Sequence, residues 1–399
     1  MLKIRHIFCL SLLFFLCQPR PVVGQSLVSP KNEELKLILQ KAKRSNSDAL
    51  LIWQDGKLQL EYYTGGPDQK IETMSVTKSI LSLAVGRLFT TGVLSDFDQP
   101  IWHFYPEWRQ GRKQAITLRH LLSHTSGLQN EKSTSLEIYP SPDFVQLALS
   151  AELSSEPGLD FSYNNKATNL LAGVVEKASG KKLDRYLAEE LFSKLGIIDF
   201  DWSKDKTGNP HGMSGLQIRP KDLLKLGLLV LNEGRFKGEH LLAKTWLEES
   251  LKPQGNLGCG FLWWLLPENI EFSVTDASLE LLQERAPVHP SLEAAARMLG
   301  SYSSKEELQE RLEVVLGAGF REQKETLTLW KKHLIKPKVE NYVGYLADGY
   351  QGQYLLILPK ERVLAVRMKR WTENHQASDS YSDFAKDVIK WAQSSQTGP

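Results

Sequence analysis

The chain has 399 residues, 24% of them charged and 41% hydrophobic, with a formal net charge of +2. That length buries a large core in one big domain or two moderate ones. The near balance of charge, with no basic stripe and no acidic run, gives no support to a nucleic-acid partner or a strongly anionic one.

At the N-terminus Lys3, Arg5 and His6 precede an apolar run from Ile7 to Cys17, and a Pro-rich stretch follows to Val22-Val23-Gly24. A charged start, a short apolar stretch and a small-residue cleavage site predict a secretory signal over residues 1–24, hence a periplasmic or extracellular protein. The apolar run is too short to span a bilayer. A short buried helix is the rival reading, and it leaves the flanking charge and small residues unexplained. Cys17 is a candidate lipidation site and the one route to membrane association, although Leu16 before it is bulkier than the residue usual there. Cys9 and Cys17 fall in this segment, so Cys259 stands alone in the exported chain. No internal disulfide is expected, and stability must come from core packing.

A helix is predicted over 33–46. Ala49 to Trp53 and Leu58 to Tyr63, joined across Asp55-Gly56, read as a hairpin. Helical patterns then follow Ser75, lie near 117–123 and 142–151, run from Lys166 to Ala178 before Gly180, and cover 183–195 and 221–232. Gly258 to Leu266 and Gly349 to Met368 return to strands, and a last helix covers 381–392. Strands at both ends with helices between predict an α/β (α+β) layer built from both termini, with a helical subdomain at about 90–235. Residues 268–338 read as a mostly helical, charged insertion on the surface. No fixed-period repeat is present.

Ser75-Val76-Thr77-Lys78 opens a helix carrying Ile80, Leu81, Leu83, Ala84, Val85 and Leu88. A hydroxyl and an ammonium thus stand one turn apart on a helix that must be largely buried. A buried lysine is costly without a partner or a task. A helix N-terminus favours developing negative charge, which suits an activated serine nucleophile. The bland alternative is a serine cap beside a surface lysine. Spacing does not decide, since Ser179…Lys182 and Ser203…Lys206 share it, but neither is followed by an apolar helix. Three further blocks accompany the first: Leu121 to Leu128 (Leu-Leu-Ser-His-Thr-Ser-Gly-Leu), Pro157-Gly158 with Tyr163-Asn164-Asn165, and Tyr345 to Gln353.

With these blocks in this order, and with Ile218 to Leu223 and Leu226-Gly227, the chain resembles the serine β-lactamase and penicillin-binding-protein superfamily, in its class C β-lactamase-like esterase and amide hydrolase branch. The resemblance covers about residues 48–266 and 339–395. It implies a β-lactamase/D-alanyl-peptidase-like fold, an antiparallel sheet flanked by helices plus a helical subdomain. It also implies that Ser75 is the nucleophile, Lys78 its cationic partner and Tyr163 the general base and later acid. Asn165 would orient substrate or Lys78, and the oxyanion hole would be the Ser75 and Tyr350 N–H groups, with Gly349 admitting the substrate closely. On physical grounds Lys78, once desolvated, can equally take the proton itself. The family's last motif places Lys or His two residues before its glycine; here Ala347 stands there, which argues against recognition of a substrate carboxylate unless Arg219, Lys221 or Arg367 supplies the charge.

Other residues are open to plainer readings. His120 and His124 have metal-ligand spacing without a third ligand, so a packing role is expected and no metal or organic cofactor is predicted. Trp263 and Trp264 face opposite sides of a strand, so one of them, taken as Trp263, is a candidate pocket wall. Asp348 is either a turn residue or a substrate contact. Cys259 reads as a small core filler. The Gly-x-Ser-x-Gly elbow of α/β-hydrolases is absent. The expectation is an exported serine hydrolase acting on a small ester or amide, of undetermined oligomeric state. A β-lactamase or D-alanyl peptidase, and a non-catalytic binding protein on the same fold, are the alternatives.

Overall fold

The computed structural model of the chain describes residues 25–67, 69–254, 257–371 and 379–395. The expected signal segment, with Cys9 and Cys17, lies outside them. Seven strands form one sheet: β1 (Gln25–Val28), β2 (Ala49–Gln54), β3 (Lys57–Tyr63), β4 (Trp264–Pro267), β5 (Tyr342–Gly349), β6 (Gln353–Leu358) and β7 (Val363–Met368). Their spatial order is β1-β3-β2-β7-β6-β5-β4, and every neighbouring pair is antiparallel. β2 and β7 pair at Leu51↔Val366, so strands from the two ends of the chain meet at the sheet centre. β6 and β7 are buried along their whole length, which is why they read as unbroken apolar runs.

Helices cover both faces. α1 (Glu33–Arg44) and α5 (Phe384–Ser394) lie on one face, where Ile38, Val388 and Trp391 meet Leu50, Ile52 and Leu356. On the other, α2 (Val76–Thr90), α3 (Asn165–Ser179) and α4 (Pro220–Leu231) share a core with Leu51, Leu355 and Val366. Leu50 and Leu51 thus serve opposite cores, the period of two that a strand imposes. α2 is buried on nearly all sides. α3 begins where the Asn164 side chain accepts from the Ala167 N–H at 2.9 Å, and ends at Gly180 in the left-handed region (φ 73°).

Three local expectations need correction. The helix expected over 183–195 is α-helical only to Leu187 and continues as a π-helical turn, Ala188–Phe192. The strand expected from Gly258 begins only at Trp264, because Leu262 before it takes a left-handed conformation (φ 61°). β5 was not foreseen as a strand before Gly349: Gly344 and Asp348 weaken its pattern, and pairing with β4 and β6 imposes it. Between β4 and β5 the chain leaves the sheet. It builds a three-stranded sheet from Glu271–Val274, Gly300–Tyr302 and Lys336–Lys338 with helices around a separate core that includes Leu282, Leu312, Trp330 and Leu334.

Candidate active site

The start of α2 is pinned from both sides. Thr73 N–H donates to the Leu216 carbonyl at 2.8 Å, and the Thr73 and Thr77 hydroxyls meet at 2.9 Å. Met74, between Thr73 and Ser75, is held at φ 47°. Ser75 makes no side-chain cap bond, so the bland reading of it as a helix cap fails. Instead the Lys78 ammonium lies 3.0 Å from Ser75 Oγ and donates to the Met213 carbonyl at 2.7 Å. Lys78 is 3% exposed, and burial lowers it to about 7 from its ordinary 10.5. Among the described residues no carboxylate offsets that desolvation.

Tyr163 completes the group. Its hydroxyl is hydrogen-bonded to Ser75, and its ring centroid stands 4.8 Å from Lys78 Nζ. Burial pushes the phenol up to about 12, the Ser75 bond only partly opposing it. A neighbouring ammonium favours phenolate, but desolvation of the phenol is here the larger effect. The ring rests on His124 (centroids 4.8 Å apart) and lies nearly parallel to Trp264 (6.2 Å, 11°).

His124 is not on a helix with His120, since that helix ends at Leu122. Its Nδ1 accepts from the Asn164 N–H at 3.1 Å, and burial, then Lys78, lowers it to about 3, so it stays neutral. His120 instead closes the start of its own helix, accepting from the Thr117 N–H at 3.2 Å.

Gly349 ends β5 against the backbone of Thr73 and Ser75. A Cβ there would stand 2.7 Å from the Thr73 carbonyl oxygen and 3.2 Å from Ser75 N, so only glycine fits. Among the described residues, neither the Ser75 nor the Tyr350 N–H makes a backbone hydrogen bond, which leaves both amides free for an oxyanion. His124 and Leu262, which line this cleft, adopt positive φ, as does Met74 next to Ser75. Such strain persists where the surrounding packing fixes it, and it concentrates at functional sites.

The remaining expected residues divide. Asp348 lines the cleft with Ser75, Lys78 and Tyr163. Partial burial of its carboxyl, then the charge of Asp379, pushes it up to about 6. Trp263 also lines the cleft, but it is buried to 1% in the sheet-side core; the half-buried Trp264 is the one stacked on Tyr163. Asn165 does not hold Lys78, whose carbonyl partner is Met213; its N–H donates to Asn130, and its own Oδ1 is buried without a partner. It borders, with Ser75 and Tyr350, a wider cavity of about 610 Å³ also lined by Glu72, Tyr139 and Trp371. A larger surface hollow of about 790 Å³ near Asn232 and Arg362 holds none of these groups.

None of the three candidate substitute cations is available. Arg219 pairs with Asp199, Lys221 with Glu61, and the fully buried Arg367 with Asp379 at 2.9 Å. Cys259 is buried, bonded to the Gly260 carbonyl, and its thiol is pushed up to about 12, which suits the filler role. Sequence reasoning missed Met213. Its placement depends on Asn169 Oδ1, which accepts from the Gly212 and Met213 N–H groups at 2.9 and 3.1 Å, and on Gly212, whose missing side chain lets the loop touch the Thr168 carbonyl. The Gly212-Met213-Ser214-Gly215 run was visible, but nothing in it signals a backbone acceptor.

Comparison with known proteins agrees with this geometry. The chain is 24% identical over 253 residues to the 6-aminohexanoate-dimer hydrolase of Paenarthrobacter ureafaciens, covering 58% of this chain and 63% of that one. It is 31% identical over 151 residues to esterase EstB of Burkholderia gladioli, covering 33% and 38%. The match thus spans under two thirds of the length of each of these curated relatives. Among solved structures, a Bacillus anthracis protein assigned as a 6-aminohexanoate-dimer hydrolase superposes with a TM-score of 0.64 at 16% identity, over 90% of this chain and 82% of that one, which establishes the shared fold. The Beta-lactamase family model matches residues 35–388. That span runs from the first helix into the last and contains every residue of the cleft, so the chain belongs to the beta-lactamase family.

Proposed function

We propose that the protein is a serine hydrolase that cleaves ester or amide bonds through an acyl-enzyme on Ser75. The observation that carries this reading is Lys78: buried, without a carboxylate, 3.0 Å from the Ser75 hydroxyl and lowered to about 7. In its neutral form the amine accepts the hydroxyl proton while Oγ bonds to the substrate carbonyl carbon. The carbonyl π electrons move to oxygen, which the Ser75 and Tyr350 N–H groups stabilise. As the carbon–leaving-group bond breaks, the Tyr163 hydroxyl gives its proton to the departing alkoxide or amide nitrogen and takes one from the Lys78 ammonium in its place, so that both side chains return to their neutral forms. Water then attacks the ester on Ser75 by the same route in reverse.

Tyr163 on this account is a neutral relay and the proton acceptor is Lys78, since burial moves their affinities in opposite directions. The names of the two curated relatives, an amide-dimer hydrolase and an esterase, favour esters and amides. The buried Ala347 and the three committed cations disfavour the β-lactamase and D-alanyl-peptidase readings, in which the substrate carries a carboxylate.

The test is the Ser75→Ala variant assayed on short-chain p-nitrophenyl esters, with intact mass measured after treatment with a fluorophosphonate. The expected result is a loss of at least about 10³-fold in kcat/KM and a single adduct that maps to Ser75 and vanishes in the variant. Unchanged ester cleavage by Ser75→Ala would remove the proposal. Rapid nitrocefin turnover would favour the β-lactamase reading, and absence of any adduct would favour the binding-protein reading.

A further inference from the structure

We infer that the insertion between β4 and β5 carries a binding site for a long-chain carboxylate, whose chain lies in an apolar hollow and whose head meets the cations lining it. The inference stands apart from the serine-hydrolase reading, because this hollow shares no lining residue with the cleft or the cavity beside Ser75.

The hollow has a volume of about 520 Å³, within the range of small-molecule sites. Two helices and two strands of the insertion line it. On the helix Lys305–Leu316, the residues Lys305, Leu308, Gln309 and Leu312 share one face by their helical spacing. On the helix Lys324–His333, Leu327 and Lys331 stand one turn apart on the wall. The cross-strand partners Phe272 and Pro337 add to it. Leu308, Leu312, Phe320 and Ile335 also belong to the insertion's core, so the core itself forms the apolar part of the lining.

Charge gives the second half of the argument. Residues 268–338 carry more acidic side chains than basic ones. Yet the charged groups lining the hollow, Lys305, Arg321 and Lys331, are all cations. The insertion's ion pairs use other cations, Arg285, Lys332 and Lys338. Among the described residues, Lys305, Arg321 and Lys331 have no carboxylate partner. The Arg321 guanidinium lies 5.6 Å from the centroid of the Phe320 ring, which places a planar N–H fork, suited to a carboxylate, beside the apolar lining. Three like charges around one depression repel each other, and an anion among them relieves that repulsion. A small inorganic anion would leave the apolar lining wet, and an uncharged hydrocarbon would leave the cations uncompensated. A chain ending in one carboxylate satisfies both. A membrane is met by a protruding apolar face, whereas a concave site takes single molecules.

The experiment is isothermal titration of the full chain at pH 8 with dodecanoate and with dodecyltrimethylammonium, each below its micellar concentration. Dodecanoate is expected to bind at least about tenfold more tightly than the cation. Lys331→Glu weakens dodecanoate by about tenfold. Lys324→Glu, the same charge change on the same helix but outside the hollow, leaves it within about twofold. Leu327→Trp, which fills the hollow without altering charge, also weakens it. Melting curves of the three variants show that binding is read on folded protein. Equal weakening by Lys331→Glu and Lys324→Glu overturns the inference, as does a cation that binds as well as dodecanoate. Undiminished binding by a folded Leu327→Trp does so too. Binding to phosphatidylglycerol vesicles without binding of monomeric dodecanoate would replace the site with a membrane-facing surface.

Discussion

Lys78 and Lys166 each stand in the first turn of a long helix, α2 and α3, and those helices pack together beside the cleft. Both lysines are buried, at 3% and 1% exposed. Lys166 reaches the Glu137 carboxylate at 2.7 Å and is held as one half of an ion pair. Among the described residues Lys78 reaches a hydroxyl, a backbone carbonyl and the Tyr163 ring, and no carboxylate. Burial by itself therefore does not make a base; burial without a compensating anion does. The same contrast disposes of the Ser179…Lys182 spacing. Lys182 sits 2.9 Å from Glu176 and 2.6 Å from the Asn209 side chain, while Ser179 Oγ donates back to the Val175 carbonyl at 2.7 Å.

The largest effect expected from this comparison is that of Lys78→Met, with kcat/KM falling about 10³-fold or more while the fold becomes more stable. The sign follows from linkage. Lys78 titrates at about 7 in the folded chain and near 10.5 when unfolded, so between those values the unfolded chain binds a proton that the folded chain lacks. Stability rises with pH across that window. The burden is present in full below about pH 7 and absent above about pH 10.5. Its upper bound is about 5 kcal/mol. Melting curves at pH 6 and at pH 10.5 read the difference: the variant gains at the lower pH and converges with wild type at the higher. The wild-type kcat/KM, which needs the neutral amine, rises with pH through an apparent pKa near 7. A variant less stable than wild type at pH 6 breaks the comparison.

Lys166→Met should behave oppositely, costing about 2–3 kcal/mol because it leaves Glu137 without its partner. The figure sits low because Glu137 is 29% exposed and water recovers part of the loss. Activity per folded molecule stays within a few-fold of wild type. Denaturant unfolding of Lys166→Met and of the Glu137→Gln/Lys166→Met double variant checks it. Recovery in the double variant is expected, since the unpaired charge and not the missing ammonium is the cost.

Much of this architecture was legible in the sequence. The runs Tyr354 to Leu358 and Val363 to Arg367 could only be buried strands, and Asp55-Gly56 placed the hairpin turn. Ser75, Lys78 and Tyr163 were found because an apolar helix and a turn-backed loop flagged them. What sequence could not supply was direction of burial. It placed Trp263 at the pocket wall, which it does line, and missed that Trp264 beside it lines the same cleft and stacks on Tyr163, because alternation alone predicts that only one of two neighbours meets it. It left the base role open between Tyr163 and Lys78, because the desolvation of the phenol exists only once the ring is enclosed by His124 and Trp264. It had no access to the Met213 carbonyl, since every residue carries such an acceptor and only the fold aims one at Lys78.

Tyr163→Phe sharpens the comparison with the smallest expected change. The ring stays, so its contacts with Lys78, His124 and Trp264 survive, and only the hydroxyl bonded to Ser75 is lost. If Lys78 accepts the proton and Tyr163 relays it, the loss in kcat/KM is about 10- to 10²-fold. The rise of activity near pH 7 survives, because the group that titrates there is still present. If Tyr163 is the base, Tyr163→Phe falls as far as Lys78→Met and the limb near pH 7 disappears. The double variant separates the cases further. Two groups acting on one proton are strongly non-additive, so Lys78→Met/Tyr163→Phe should be little worse than Lys78→Met alone. Fully additive losses would mean that the phenol acts on a step in which Lys78 has no part, and the relay between Lys78 and the Tyr163 hydroxyl would have to be abandoned.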